Sequence, residues 1–179
     1  MPKYLITVLP TTRISNEISL FQKNIEADFG AVHAQKVPPH ITVIPPFDCD
    51  EEKIETLMIT LSQHLSKPIS QINIHLDNFQ RFDNRTLFVD VAKNEPFEHF
   101  CISLKQLFNQ QKIIKQRTEK HFFVPHITLA NKDINKKDFK ALWLQFMNKK
   151  YQRNFDLTSI VILELKEFKW EVKKEIIFG

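Results

Sequence analysis

One tetrapeptide occurs twice in this 179-residue chain. Pro39–Thr42 (Pro-His-Ile-Thr) returns as Pro125–Thr128, and the two histidines are 126 − 40 = 86 residues apart, close to half the chain length. Each copy opens a short apolar segment, at 40–44 and at 126–130, that lies between two helix-like patterns. Four matching residues can arise by chance, so the matching context of the two copies is what gives them weight. The repeat therefore predicts a duplicated fold.

The strand period determines where the side chains of each motif point. Side chains alternate between the two faces of a strand, so His40 and Thr42 share one face while Ile41 lies on the other. His126 and Thr128 are arranged in the same way. If helices cover the apolar face, each motif presents an imidazole and a hydroxyl together. A pseudo-twofold relation between the halves would bring all four polar side chains to one cleft, where they could form an acid–base site.

The predicted elements around the two motifs also follow one order. From the spacing of apolar residues, each half begins with a strand and a helix, continues into its motif strand and goes on to another helix. The predicted elements are approximately 4–9, 12–29, 40–44, 50–65, 72–77, 86–91, 96–112, 126–130, 136–148, 157–165 and 168–177, the last two as a hairpin. The segments 81–85 and 110–122 are predicted connections. Internal duplication explains this order most simply.

The duplicated order predicts an α+β fold with two pseudo-symmetric lobes. Each lobe is expected to be a mainly antiparallel sheet covered by two helices, with a cleft between the lobes. A chain of 179 residues fits a single domain, 1–179. The first lobe is placed at about 1–80 and the second at about 85–179, and an exchange of strands between them is left open.

Composition narrows the class of function. With only two glycines the chain has no Gly-rich phosphate loop. Cys49 and Cys101 lack the spacing of metal ligands and are expected to be reduced thiols of a cytoplasmic protein. The apolar run within Met1–Pro10 is too short for a secretory signal, and no stretch reaches the ~20 apolar residues of a membrane span, so no membrane partner is expected. A net charge of +4 favours an anionic partner.

The paired motifs resemble those of the 2H phosphoesterase superfamily, and within it the bacterial 2′-5′ RNA ligase-like proteins and cyclic phosphodiesterases. The matching residues are Pro39–Ile44 and Val124–Leu129, with Thr in both motifs where the family takes Thr or Ser. The resemblance implies a two-lobed fold and chemistry without a metal or another cofactor. The implied substrates are nucleotides or RNA with a 2′,3′-cyclic phosphate or a 2′-5′ linkage, and the particular substrate does not carry over because members of the family differ.

Two histidines and two threonines suit this chemistry. An imidazole titrates near neutral pH, so one can accept a proton from water while the other protonates the departing ribose oxygen. The resemblance favours His126 as the base and His40 as the acid, although the symmetry of the sequence does not decide between them and the reverse reaction exchanges the roles. Thr42 and Thr128 can donate hydrogen bonds to the non-bridging phosphate oxygens.

Further candidates for contacting the substrate lie in connections or beside the motifs: Arg81, Arg85, Arg117, Lys120, Phe47 and Phe123. The basic side chains could reach a phosphate and the aromatic rings could stack on a base. Ordinary solvated charges and core packing are the alternative interpretations. The five other histidines are interpreted as surface residues, with His75 and His121 able to border the cleft: His33, His64, His75, His99 and His121.

Several other functions remain open at this point. The motif histidines could be unrelated strand-edge residues, or two ligands of a zinc site, although neither motif supplies a carboxylate or Cys at the usual spacing. The same cleft could bind nucleotides or RNA without useful turnover. It could also open a non-nucleotide cyclic phosphate such as ADP-ribose 1″,2″-cyclic phosphate. A monomer is the default expectation.

Overall fold

The computed structural model describes residues 1–66, 71–111 and 124–178. Three of the candidate substrate contacts, Arg117, Lys120 and Phe123, lie outside these ranges, as does His121. Within them the elements are β1 Lys3–Val8, α1 Thr12–Phe29, a 3-10 helix His33–Lys36, β2 Ile41–Asp48, α2 Glu51–Leu65, β3 Asn73–Phe82, β4 Thr86–Val91, α3 Glu95–Gln110, β5 His126–Ala130, α4 Lys136–Phe146, β6 Gln152–Asp156, β7 Ser159–Lys166 and β8 Lys169–Ile177.

The strands form two four-stranded antiparallel sheets. The first has the order β2-β1-β7-β8 and the second β5-β4-β3-β6. Strand β3 thus belongs to the second sheet, and the chain returns to the first sheet with β7 and β8. In each sheet the motif strand is an edge strand beside the strand that opens its half, and β2 and β5 contact each other. The predicted α+β fold with two pseudo-duplicated lobes is confirmed.

Each sheet carries two helices on its apolar face. Helix α1 contacts β5 and α4, while α2 contacts β8 and α3 contacts β2. On the second sheet, Phe21 of α1 packs edge to face on Phe79 of β3 and on Phe146 of α4. On the first sheet, Phe108 of α3 packs edge to face on Phe47 of β2. The helices therefore bury the core faces and leave the opposite faces of the two sheets to form the cleft.

The sequence of helix α1 accounts for both its buried face and its C-terminal end. Its apolar residues recur at three- and four-residue steps, and Ile14, Ile18 and Ile25 are all buried. The helix ends at Gly30, which has φ 70° and whose backbone N–H donates to the carbonyl of Glu26. Glycine adopts this left-handed conformation without the steric cost that a Cβ imposes, so the predicted stop is confirmed.

Two strands extend beyond their predicted ends, and a third strand was not predicted. Strand β2 continues through Pro45 and Pro46 to Asp48, because an edge strand has a side that needs no backbone donors. Strand β3 continues to Phe82, so Arg81 is part of a strand instead of a connection. Strand β6 was not predicted, because it is an edge strand in which only Phe155 is buried and its apolar signal is correspondingly weak.

The described residues also answer two questions raised by composition. Cys49 and Cys101 are both buried and neither forms a disulfide. Among the described helices, none combines the length and apolar character needed to cross a membrane.

Candidate active site

The two motifs adopt the alternation that their sequences predict. Ile41 and Ile127 point into the core and have no exposed surface. Thr42 and Thr128 point the other way and are half-buried. Prolines before each motif hold the approaching chain extended, because the residue preceding a proline is kept out of the helical region. Both hydroxyl groups therefore face away from the helices.

The two histidine rings are held by the same hydrogen bond. Nδ1 of His40 lies 2.8 Å from the carbonyl oxygen of Pro38, and Nδ1 of His126 lies 2.8 Å from the carbonyl oxygen of Val124. A carbonyl oxygen only accepts, so Nδ1 of each ring carries the donated proton. In a neutral ring this leaves Nε2 as an unprotonated acceptor. The pseudo-symmetry thus extends to ring orientation and tautomer.

The motifs meet at a cleft of about 390 Å³. His40, Thr42 and Thr128 line it directly. The ring of His126 packs against Phe82 and Phe88, with centroids 5.0 and 4.9 Å away, and its charge lowers the pKa of His40. The structure therefore places three of the four motif residues on the cleft wall, and His126 lies close enough to His40 to affect its pKa.

Burial keeps both imidazoles neutral at pH 7. Each ring has an edge in solvent, yet the surrounding protein lowers the pKa of His40 to about 4, chiefly through burial and further through the nearby His126. The pKa of His126 is also lowered by burial, against the opposing effects of its hydrogen bond to Val124 and of the Asp90 carboxylate. Both rings are therefore unprotonated at neutral pH.

The two motif histidines face different residues on the adjoining strand. In the β4–β5 pairing, Asp90 lies opposite His126. In the β1–β2 pairing, Thr7 lies opposite Thr42, and continuing that register places Leu9 opposite His40. Of the two motif histidines, His126 has a carboxylate at the facing position of the adjoining described strand, and His40 has none at that position. Burial raises the pKa of Asp90, whereas a hydrogen bond from the backbone N–H of Val91 and the proximity of His126 lower it.

Two of the arginines predicted to contact substrate, Arg81 and Arg85, do not line this opening. The guanidinium of Arg81 lies 5.2 Å from the ring centroid of Trp143 on α4 and donates to Asn84. This corrects the prediction for Arg81, because it lies on the sheet face opposite to that of His126. Arg85 lies in the turn between β3 and β4 and is exposed.

The aromatic prediction at the first motif also needs correction. Phe47 is 5% exposed and packs against the rings of Tyr4 and Phe108. It belongs to the core and is not available to stack on a base. Phe123 lies outside the described residues.

The cleft includes residues that the sequence did not point to. The side chains at its walls include Gln22, His33, Lys36, Asn131, Phe168 and Trp170. His33 was expected at the surface, but its 3-10 helix lies against the cleft. The backbone N–H groups of Val32 and His33 donate to Asp133 at 2.7 and 2.6 Å, which ties this helix to the loop after β5. The closeness of 33–36 to the first motif was the one available signal.

Two polar side chains connect the second motif to its surroundings. Gln22 of α1 is buried and donates from Nε2 to the carbonyl oxygen of Thr128 at 3.0 Å, which fixes the β5 edge against the helix. Asn131 follows β5, and its Oδ1 is buried without a hydrogen-bond partner in the described structure. A buried acceptor without a donor is costly, so a hydroxyl of a bound ligand would be stabilised there.

The side chains near the motifs also bear on the alternative that the two histidines are zinc ligands. In the described ranges, no three His, Cys, Asp or Glu side chains are grouped so that they could hold a metal ion. Both motif histidines also use Nδ1 for a backbone carbonyl, which leaves one nitrogen each. Two imidazole nitrogens are fewer ligands than a zinc centre takes from protein.

Several known proteins resemble this chain over nearly its whole length. A protein of Geobacillus sp. (strain WCH70), provisionally named a phosphoesterase, is 23% identical over 181 residues that cover 99% of this chain and 96% of the relative. Escherichia coli LigT complexed with 3′-AMP has a TM-score of 0.72 at 12% identity and covers 100% of this chain and 99% of that chain. The protein TT0787 of Thermus thermophilus also has a TM-score of 0.72, at 14% identity, over 98% of this chain and 97% of that one.

At such identities the structural likeness establishes the fold, while family membership comes from the sequence. The sequence profile of the 2′-5′ RNA ligase superfamily matches residues 10–167, which include both motifs. The chain therefore belongs to the 2′-5′ RNA ligase superfamily, the 2H phosphoesterases that its paired motifs resemble.

Proposed function

We propose that this protein is a metal-independent phosphoesterase of the cytoplasm that acts, as a monomer, on 2′,3′-cyclic phosphate or 2′-5′ phosphodiester linkages of nucleotides or RNA. One observation carries the proposal. His40 and His126 each donate from Nδ1 to a backbone carbonyl, which leaves Nε2 of each ring without a hydrogen bond among the described residues, and His40 and both threonines line one cleft. This arrangement supports a two-histidine acid–base mechanism, because one ring can accept a proton while the other donates one.

His126 is the proposed base. Its Nε2 takes a proton from water as the water oxygen forms a bond to phosphorus. The ring then becomes an imidazolium, and the Asp90 carboxylate beside it stabilises that charge. A carboxylate has the same effect on the histidine of serine hydrolases, where it stabilises the imidazolium without taking the proton itself.

His40 is the proposed acid. With a pKa lowered to about 4 the ring is neutral at pH 7, so His40 must gain a proton when the substrate binds. A phosphate anion beside the ring favours the imidazolium and raises its pKa. As the P–O bond to one ribose oxygen breaks, His40 passes the proton on Nε2 to that oxygen. The products are a phosphate monoester and a free ribose hydroxyl, and the reverse sequence joins the two.

Thr42 and Thr128 are the proposed donors to the non-bridging oxygens of the phosphate. Their hydroxyl groups lie on the cleft side of the two motif strands and are only half-buried. Donors already in position stabilise the charge that develops in the transition state without reorganising. Lys36 on the cleft wall adds a positive charge that favours an anionic ligand.

The comparison with LigT supports a nucleotide as the ligand. E. coli LigT, which shares the fold over the full chain, is found in complexes with 3′-AMP and with phosphate. A cleft of about 390 Å³ is within the size range of small-molecule sites in proteins. We infer that a nucleoside phosphate or the end of an RNA strand occupies it.

A turnover assay tests the proposal. Cyclic mononucleotides, 2′-5′ dinucleotides and RNA ending in a 2′,3′-cyclic phosphate are incubated with wild type, His40→Ala and His126→Ala. Each variant is expected to lose roughly 10²–10⁴-fold in kcat. His75→Ala, in which an exposed histidine of β3 is removed, is the matched control and retains full activity.

Two outcomes would contradict the proposal. Activity that disappears with EDTA and returns with a divalent metal would refute the metal-independent mechanism. Tight nucleotide binding by wild type without turnover of any substrate would instead support a binding module that uses the same cleft.

A further inference from the structure

The turn of the β7–β8 hairpin brings a carboxylate and an exposed aromatic ring to the cleft. Lys166 pairs with Lys169, which leaves Glu167 and Phe168 as a two-residue turn. Both turn residues line the cleft, and so does Trp170 just beyond them. None of these residues has a role in the acid–base mechanism.

Phe168 is 79% exposed, the highest value among the large apolar side chains of the described structure. Single exposed apolar residues are common and need no explanation. Here, however, the half-buried Trp170 lines the same cleft and packs against a small apolar cluster that includes Leu163 and Val37. The mouth of the cleft therefore offers aromatic surface that the protein itself does not cover.

The turn holds Glu167 in a strained conformation. Its φ is 54°, in the left-handed region that Gly or Asn adopts far more readily than Glu. Two-residue hairpin turns ordinarily place Gly or Asn at such positions. Backbone strain of this kind is often found where a side chain is needed for function. The carboxylate of Glu167 has no hydrogen-bond or ion-pair partner among the described residues.

The distribution of charge suggests how a ligand would lie. The 3-10 helix supplies Lys36 and His33 to the cleft, whereas the hairpin supplies Glu167. A phosphate would be repelled by the carboxylate and attracted by the lysine. The anionic end of a ligand therefore belongs with the motif residues, and an uncharged, flat part belongs at the hairpin.

We propose that the tip of the β7–β8 hairpin is a nucleobase subsite, an inference that rests on the proposed function for its ligand class. Phe168 and Trp170 present ring surfaces on which a base stacks, and Glu167 accepts hydrogen bonds from the N–H groups on the edge of that base. Guanine is the matching base, because its N1–H and 2-amino group are adjacent donors that the two oxygens of one carboxylate can accept together.

The first experiment compares substrates with and without a base. Steady-state kinetics are measured with guanosine 2′,3′-cyclic phosphate and with base-free ribose 2′,3′-cyclic phosphate. Phe168→Ala is expected to raise KM for the guanosine substrate about 10-fold, within the range for loss of one stacking contact, with kcat changed less than about 3-fold. KM for the base-free substrate stays the same. Ile177→Ala removes another exposed apolar residue, 71% exposed on β8, and serves as the control.

The second experiment tests the carboxylate. Glu167→Gln is expected to reduce the preference for guanosine over inosine 2′,3′-cyclic phosphate, which differ only in the 2-amino group. Glu167→Gly relieves the strained turn, so it is expected to keep or raise the melting temperature while it loses the same preference. A variant that folds better yet discriminates less cannot be explained by misfolding.

Binding measurements separate this inference from the proposed function. Guanosine 3′-monophosphate and ribose 5-phosphate are titrated into wild type and Phe168→Ala by calorimetry, which needs no turnover. Weaker binding of the nucleotide alone supports the base subsite even if no cyclic substrate is hydrolysed. Equal affinity of both proteins for the nucleotide, or equal losses for both ligands, would overturn it, whatever the turnover assay shows.

Discussion

Asp90 lies directly across the β4–β5 ladder from His126, whereas continuing the β1–β2 register by one residue places Leu9 beside His40. The two rings otherwise share the same Nδ1–carbonyl hydrogen bond. A pseudo-symmetric site would give its two imidazoles equal properties, yet acid–base catalysis requires them to differ. In the proposed mechanism, the Asp90 carboxylate beside His126 and the apolar Leu9 beside His40 supply that difference.

Replacing Asp90 by Asn is expected to lower the pKa of His126 further, because the carboxylate that favours the imidazolium is gone. The low-pH limb of kcat/KM, which reports the base in the free enzyme, then moves to lower pH. The maximal rate is expected to fall by about 10-fold, since a weaker base accepts the proton less readily. NMR titration of the ring protons measures the pKa directly.

Asp48→Asn is the matched control, because Asp48 is an exposed carboxylate at the far end of β2. It is expected to leave both the titration and the rate profile unchanged. An Asp90→Asn variant with an unaltered His126 titration would show that the carboxylate has no electrostatic role.

The lowered pKa of the partly buried His40 should also appear in the pH dependence of stability. Its pKa is about 4 in the folded protein and 6.5 in the unfolded reference, so the unfolded chain binds more protons between these values. The free energy of unfolding therefore rises with pH across this window, and His40 contributes its full share above pH 6.5. The loss on acidification is up to about 3 kcal/mol.

His40→Gln is expected to flatten this part of the profile, because the substituted side chain does not titrate. Urea denaturation at several pH values between 4 and 7 measures the effect, with His75→Gln as an exposed-histidine control. A variant whose stability still falls as steeply as that of wild type would show that His40 is not the titrating group.

Anion binding is expected to take up protons. Sulfate keeps its charge between pH 5 and 8, so any proton exchange on binding comes from the protein. An anion between the two rings raises the pKa of each, and affinity should therefore increase as pH falls towards 6. Calorimetry in buffers of different ionisation enthalpy counts the protons, and no uptake at any pH in this range would contradict a site between imidazoles.

The threonine hydroxyls are expected to act on the chemical step. Thr42→Val and Thr128→Val keep the β-branched shape and remove one donor each, which is expected to lower kcat by about 10²-fold, as loss of an oxyanion donor does. Thr→Ser at either position keeps the hydroxyl and should retain most of the activity. The value of kcat, measured at saturating substrate, is compared between the Val and Ser variants. Equal values for the two would show that the threonines have only a packing role.

The features of the site that depend on a local sequence pattern could be predicted from the sequence. Proline spacing and strand alternation determine that His40 and Thr42 leave the core on the side opposite to Ile41, and the second motif repeats this. The duplication then makes it reasonable to expect one shared cleft. Gly30 ended its helix for an equally local reason.

The remaining features depend on pairing between distant segments. Asp90 reaches His126 only through the β4–β5 register, and Phe168 reaches the cleft only because β7 returns to the first sheet. The prediction placed Arg81 in a connection, but β3 extends five residues beyond its predicted end and includes it. Side chains alternate along the strand, so Arg81 points to the helix-covered face, where it lies over Trp143, and Phe82 points to the face of His126. Phe47 resembled a stacking residue in sequence, but it lies on the core side of its strand.

The central claim is that one phosphate contacts Nε2 of both His40 and His126. The most direct measurement is a ¹⁵N NMR titration of the histidine side chains with guanosine 3′-monophosphate. The expected result is that the Nε2 resonances of both residues shift with a single dissociation constant while both Nδ1 resonances keep the signature of a hydrogen bond to a carbonyl. Shifts confined to one histidine, or two histidines with different dissociation constants, would contradict a shared phosphate site.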